Sequence, residues 1–172
     1  MTGLVFTMLL GEVSGSSLNA FLQECGFIEV GDGAGWRADV EEEGYAIKVF
    51  VKYEEGKVKF LLPEPSVPAE INERVVRRIA SELYEHVHGV EMPPEKLKVE
   101  PATYSFCYYC LKPVRELLFR CRRCGGRYCS QHRLPERHKC PGISYVKAAF
   151  EGGEKREAEA KREMVIKRHG AG

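Results

Sequence analysis

Cys107-Tyr108-Tyr109-Cys110, Cys121-Arg122-Arg123-Cys124, Cys129-Ser130-Gln131-His132 and His138-Lys139-Cys140 put four closely spaced pairs of metal-ligating residue types within 34 residues. Two residues between cysteines let both thiolates of a pair face one ion. Zinc takes four ligands in a tetrahedron, at about 2.3 Å to sulfur and 2.0–2.1 Å to nitrogen, so eight ligands imply two zinc ions. Three thiolates and one imidazole at each ion leave no open position for a catalytic water. Aliphatic residues are few here (Leu111, Val114, Leu117, Leu118 and Leu134 among them), so metal must supply much of the folding energy. A disulfide framework would need a secretory context, and none is visible. Spacing alone leaves open which pairs share an ion.

The charge around this segment is strongly uneven. The chain of 172 residues has a formal net charge of +1, but residues 1–100 hold ten Lys/Arg against eighteen Asp/Glu, a net of −8. Residues 101–150 hold ten against two, a net of +8. Two Cys₃His zinc sites, each −1, would lower that to about +6. Such asymmetry points to a charged partner or to two halves that dock on each other. The run Leu4–Leu10 falls short of the ~20 apolar residues of a membrane span and has no basic residue before it, so a cytoplasmic protein is expected. Asn and Gln occur only at Asn19, Asn72, Gln23 and Gln131, a bias seen in hyperthermophile proteins.

Residues 1–95 read as an acidic α+β domain. Leu4–Leu10 is a strand. Ser16 or Ser17 caps a helix whose Leu18, Phe21, Leu22 and Cys25 share one face, ended by Gly26. Cys25 is expected to be a buried apolar residue there, because nothing basic flanks it to activate the thiol. A three-stranded antiparallel meander follows: Trp36, Ala38 and Val40; then Tyr45, Ile47, Val49, Val51 and Tyr53; then Val58, Phe60 and Leu62. Its turns are Glu43-Gly44 and Glu54-Glu55-Gly56. A long helix from about Pro68 to His88 buries Ile71, Val75, Ile79, Leu83 and Val87. His86 and His88 lie on different faces of it and do not suit a shared metal. The order helix, three strands, helix invites comparison with double-stranded RNA-binding domains, but the net charge and the Ala69, Glu70 and Glu73 start of the long helix oppose phosphate binding. Residues 96–103 read as a linker and 146–172 as an exposed, charged helical tail.

The string Phe119 to Cys140, with Tyr128 before the fifth ligand and His132-Arg133-Leu134-Pro135-Glu136-Arg137-His138-Lys139-Cys140 at its end, closely resembles the AN-one-type zinc finger. The resemblance covers roughly residues 104–145. It implies a cross-braced fold in which the first and third pairs share one ion and the second and fourth the other. One zinc is then held by Cys107, Cys110, Cys129 and His132, and the other by Cys121, Cys124, His138 and Cys140. Members often carry a second finger or a ubiquitin-like domain, and the first hundred residues show neither.

The resemblance implies a non-enzymatic adaptor, of the kind that serves AAA unfoldases and proteasomes, whose basic finger meets an acidic protein surface. The alternative is an RNA- or ribosome-binding protein using the finger and the tail. Arg115, Arg120, Arg122, Arg123, Arg127, Arg133, Arg137 and Lys139, interleaved with Tyr108, Tyr109, Phe119 and Tyr128, suit phosphates and stacked bases. Tyr128 and Phe119 have a blander reading as packing around the metal pairs. An enzyme is the weakest expectation, because no glycine-rich phosphate loop or open metal position is present.

Overall fold

The computed structural model describes residues 3–142. Alternating apolar residues build a six-stranded antiparallel sheet from β1 (Leu4–Leu9), β2 (Ile28–Val30), β3 (Gly35–Glu42), β4 (Tyr45–Glu54), β5 (Lys57–Leu62) and β6 (Leu97–Pro101), in the order β2-β3-β4-β5-β1-β6. The expected meander is its middle. Glu43-Gly44 and Glu55-Gly56 are two-residue turns with all four φ angles positive, the geometry that matches the twist of a tight hairpin. The sheet is wider than the sequence reading, for two reasons. β2 is only three residues long, and β6 lies in the segment expected to be a linker. β6 pairs along β1 from Met8 opposite Leu97 to Leu4 opposite Pro101, and as an edge strand it tolerates the proline at its end. The helix, three strands, helix outline is therefore embedded in a larger sheet.

α1 (Gly15–Glu24) and α2 (Ala69–His88) cover one face of this sheet. Ser14, not Ser16 or Ser17, caps α1: it stays extended, and its hydroxyl accepts the amide of Ser17. Trp36 Nε1 donates to Asn19 Oδ1 at 2.9 Å and ties β3 to α1. Cys25 is exposed, against expectation, because α1 has ended and Cys25 is its C-cap; Phe27, just beyond, takes the buried place. Burial and the Glu82 and Glu24 carboxylates raise the Cys25 thiol above its ordinary value, which works against reactivity. Ile71, Val75, Ile79 and Leu83 of α2 are buried as the periodicity requires, and Gly89 ends the helix in the left-handed conformation. His86 lies against Phe21, whereas His88 meets the Leu10 carbonyl, so the two point to different neighbours. The charged tail expected over 146–172 lies outside the described residues.

The other face of the sheet is also covered. Phe50 stands out of phase with Val49 and Val51, yet it is fully buried, and Val5 and Leu61 beside it are buried too. Their cover is the cysteine-rich segment, with two short hairpins, β7 (Ser105–Phe106) with β8 (Pro113–Val114) and β9 (Phe119–Arg120) with β10 (Arg127–Tyr128). The Phe50 ring meets Phe106 edge-on at 5.3 Å and Tyr108 at 4.8 Å. Two glycines allow the close approach. A Cβ on Gly35 would lie 2.5 Å from Leu111 Cδ1 and 2.3 Å from the Val51 carbonyl oxygen, and one on Gly31 would lie 2.1 Å from the Tyr109 carbonyl oxygen. At the rim, Asp32 accepts hydrogen bonds from Tyr109 and Lys139.

Phe50→Ala removes a ring that only the second core explains. The expected loss is about 3–5 kcal/mol, the usual cost of a large buried aromatic, in urea unfolding of the zinc-loaded chain. A variant as stable as the parent would show that the finger rests on the sheet without energetic coupling.

Candidate metal centres

The cysteine and histidine side chains gather into two groups. Cys107, Cys110, Cys129 and His132 form one and Cys121, Cys124, His138 and Cys140 the other, with the ligand atoms in each within 4.8 Å of one another. The arrangement is interleaved: the first pair meets the third and the second meets the fourth. A tetrahedral zinc with the usual bond lengths separates sulfurs by about 3.8 Å and sulfur from nitrogen by about 3.6 Å. Cys121 Sγ and Cys140 Sγ are 3.8 Å apart, Cys107 Sγ and His132 Nδ1 3.7 Å, and Cys124 Sγ and His138 Nε2 3.8 Å. Cys129 Sγ and His132 Nδ1 are closer, at 3.2 Å. The donor sets and spacings fit zinc, two ions in all.

Local backbone geometry prepares the sulfurs. After each of the first two cysteine pairs the chain turns through a left-handed residue, Leu111 at φ 54° and Gly125 at φ 73°. Each returns its amide to the first cysteine of the pair, at 2.9 Å to the Cys107 carbonyl and 2.8 Å to the Cys121 carbonyl. Glycine takes this conformation freely; leucine does so at a cost of about 1–2 kcal/mol. Leu111 recovers that cost by being buried against the sheet at Gly35. Burial raises the Cys121 thiol, but the amides of Cys124 and Arg123 outweigh it and bring it down to about 6. Cys129 is lowered in the same way, against burial, by the amides of His132 and Gln131. Cys110 and Cys140 are instead pushed up to about 11, by burial first and then by the neighbouring sulfurs. A zinc ion at each centre would hold its three cysteines as thiolates and its imidazole neutral.

Outer contacts orient the imidazoles. His138 points Nε2 at its cysteine group and Nδ1 at the His132 carbonyl, 2.8 Å away, so the ligand of one centre is fixed by the backbone of the other. Burial lowers the His132 pKa, which favours the neutral ring a metal requires. Tyr128 stacks on His138 at 3.8 Å and 12°, and its hydroxyl donates to Cys124 Sγ at 3.3 Å. Burial raises its phenol, and the bond to Cys124 adds to that. A run of rings thus leads from Phe50 through Tyr108 and Tyr128 to His138, while Tyr109 lies 4.8 Å from His132.

These observations define a closed, cross-braced, two-centre zinc finger. Residues 106–144 match the family model described as an AN1-like zinc finger, and this segment of the chain is one. No curated protein and no solved structure matches the chain.

The basic residues split. Lys139 pairs with Asp32. Arg115, Arg120, Arg122, Arg123, Arg127, Arg133 and Arg137 are all exposed, and none forms an ion pair with another described residue. Of the aromatics, Tyr108 and Tyr128 are buried and Tyr109 is half-buried, leaving Phe119 as the one on the surface.

Tyr128→Phe should keep the stack on His138 and lose only the bond to Cys124. The expected result is about a tenfold or larger loss of affinity at the Cys121 centre, with the Cys107 centre unchanged, in chelator competition on a chain loaded with two zinc. Equal weakening of both centres would refute that assignment. Removing both ions should also lower the urea midpoint of the whole chain, because the cover over Phe50 is lost with them; an N-terminal transition unmoved by chelation would refute the coupling.

Proposed function

We propose that this protein is a non-enzymatic, cytoplasmic adaptor whose zinc-structured finger docks an acidic protein surface. The observation that carries the reading is the finger's exposed apolar side chains among its exposed arginines. Leu117 is 91% exposed, Leu134 51% and Phe119 44%, with the Arg133 guanidinium 5.6 Å from the Phe119 ring centre. Apolar side chains accompanied by exposed arginine are of the composition that protein-binding surfaces use. The arginines are not spent on the acidic half of the chain. Both metal sets are complete with four protein ligands, so the ions serve architecture. The family resemblance points to a protein-quality-control partner, a proteasome or an AAA unfoldase. Stacked nucleic-acid bases are the poorer fit to the finger, because Tyr108 and Tyr128, which would stack them, are interior.

Affinity capture with the zinc-loaded full chain tests the reading. A partner should remain bound at about 1 M salt, where exposed ion pairs are screened within about 3 Å, and both Leu117→Ser/Leu134→Ser and Arg122→Glu/Arg133→Glu should release it. A complex indifferent to the leucine substitutions would refute the proposal.

A further inference from the structure

The strand register sorts the charges of the first hundred residues by face. On the face that carries Phe50, the strands present six of the ten basic residues and four of the eighteen acidic ones, a net of +2. The helices, the turns and the opposite face then hold four basic against fourteen acidic residues, a net of −10. The net negative charge of this half therefore lies off the Phe50 face, although Asp32 reaches the finger's rim and four acids stand on that face. The finger, itself strongly basic, sits on the positive side.

The lysines of that face are gathered rather than scattered. Val5, Leu61 and Phe50 form the row beneath the finger. One row beyond, Lys98 faces Thr7, Thr7 faces Lys59, and Lys59 faces Lys52 across β6, β1, β5 and β4. Three strand spacings of about 4.8 Å make this a line roughly 14 Å long. In the next row Lys57 faces Leu9 on one side and Glu54 on the other. Glu54 serves Lys52 at 2.5 Å and Lys59 at 3.9 Å, Glu100 lies opposite Val5 in the finger's row, and Glu12 and Glu55 gather around Leu9 at the Lys57 end. Lys57 and Lys98 have no ion pair with a described residue. Like charges directly opposite on neighbouring strands are destabilising. Glu54 offsets part of this for Lys52 and Lys59, whose side chains are 19% and 36% exposed, and leaves Lys57 and Lys98 as the exposed pair without an ion-pair partner among the described residues.

We propose that the row Lys52, Lys59 and Lys98, with Lys57 beside it, is a contact surface for the phosphate backbone of a nucleic acid, separate from the finger's docking face. In these rows the face bears compact ammonium charges, with Leu9 the large exposed apolar side chain and no exposed aromatic ring; Ile28, also exposed, lies at the far β2 edge of the same face. That composition suits sequence-independent phosphate contacts and gives little purchase for a folded protein. The finger packed on the same face carries seven exposed arginines, which add to the positive charge of this side of the molecule.

Fluorescence anisotropy on the zinc-loaded full chain tests it, with a labelled RNA duplex of about 20 base pairs between about 50 and 200 mM salt. Each phosphate contact adds about −0.9 to the slope of log affinity against log salt. Lys52→Gln/Lys59→Gln/Lys98→Gln should lower the slope by about 2 to 3 and weaken binding at least tenfold. Lys57→Gln/Lys98→Gln, which touches exposed residues only, should lower it by about 2 and guards against a folding defect in the triple variant. Leu117→Ser should leave duplex binding intact, which separates this surface from the finger's. No binding at the lowest salt, or unchanged slopes in both lysine variants, would overturn the proposal. So would tighter binding of labelled poly-glutamate that the same substitutions abolish, since the row would then be a protein-docking surface.

Discussion

The contact of Phe50 with Phe106 and Tyr108 is the interaction on which the rest of this structure depends. A sheet backed by two helices on one side buries one layer of side chains; this sheet buries two. The outer layer is thin on both sides. Val5, Leu61 and Phe50 could not form a core alone, and the cysteine-rich segment has too few aliphatics to form one either. Each supplies what the other lacks, and the metal sets keep the finger rigid enough to present Tyr108 and Leu111 to the sheet. The free energy of structural zinc, of order 10–16 kcal/mol in small fingers, is in this way shared with residues far from the metals.

Rigidity at the centres and contact with the sheet are linked through a few side chains. Leu111 follows the ligand Cys110, holds the turn of the first cysteine pair in a left-handed conformation and fills the space above Gly35. Tyr128 packs on His138 and bonds Cys124, and its other neighbour, Tyr108, touches Phe50. Packed rings thus join the sheet to the ligands of the Cys121 centre in one contiguous chain of contacts. The polar link at the rim, Asp32 with Tyr109 and Lys139, is exposed and adds little.

Docking by apolar contact has a consequence for charge. Had the two halves met through their opposite charges, the finger's arginines would have been consumed. They meet through rings and one lysine instead, so the molecule keeps an acidic helical side and a basic side that carries the finger. The adaptor reading and the lysine row both draw on that separation.

Much of this was legible in the chain itself. The metal chemistry follows from spacing, because ligands two residues apart face one ion whatever surrounds them, and the stripe of α2 and the core strands follow from periods of 3.6 and 2. The pairing of Cys107 with Cys129 and of Cys121 with Cys140 was implied only by resemblance; spacing permits sequential pairing equally well, and three-dimensional proximity is what decides. Phe50 and Leu61, apolar residues in the polar phase of their strands, were the available signal that the second face is covered, but alternation alone does not say by what. Cys25 misled because a helical period continues on paper past the point where the helix stops. β6 was hidden in a proline-flanked segment, since an edge strand is recognised by its partner β1 more than by its own residues. The side chains set which ions can bind and which faces must be buried; the meeting of the finger with the sheet, and the sorting of charge to opposite sides, came only with the tertiary structure, because both depend on strand register and on contacts between residues distant in the chain.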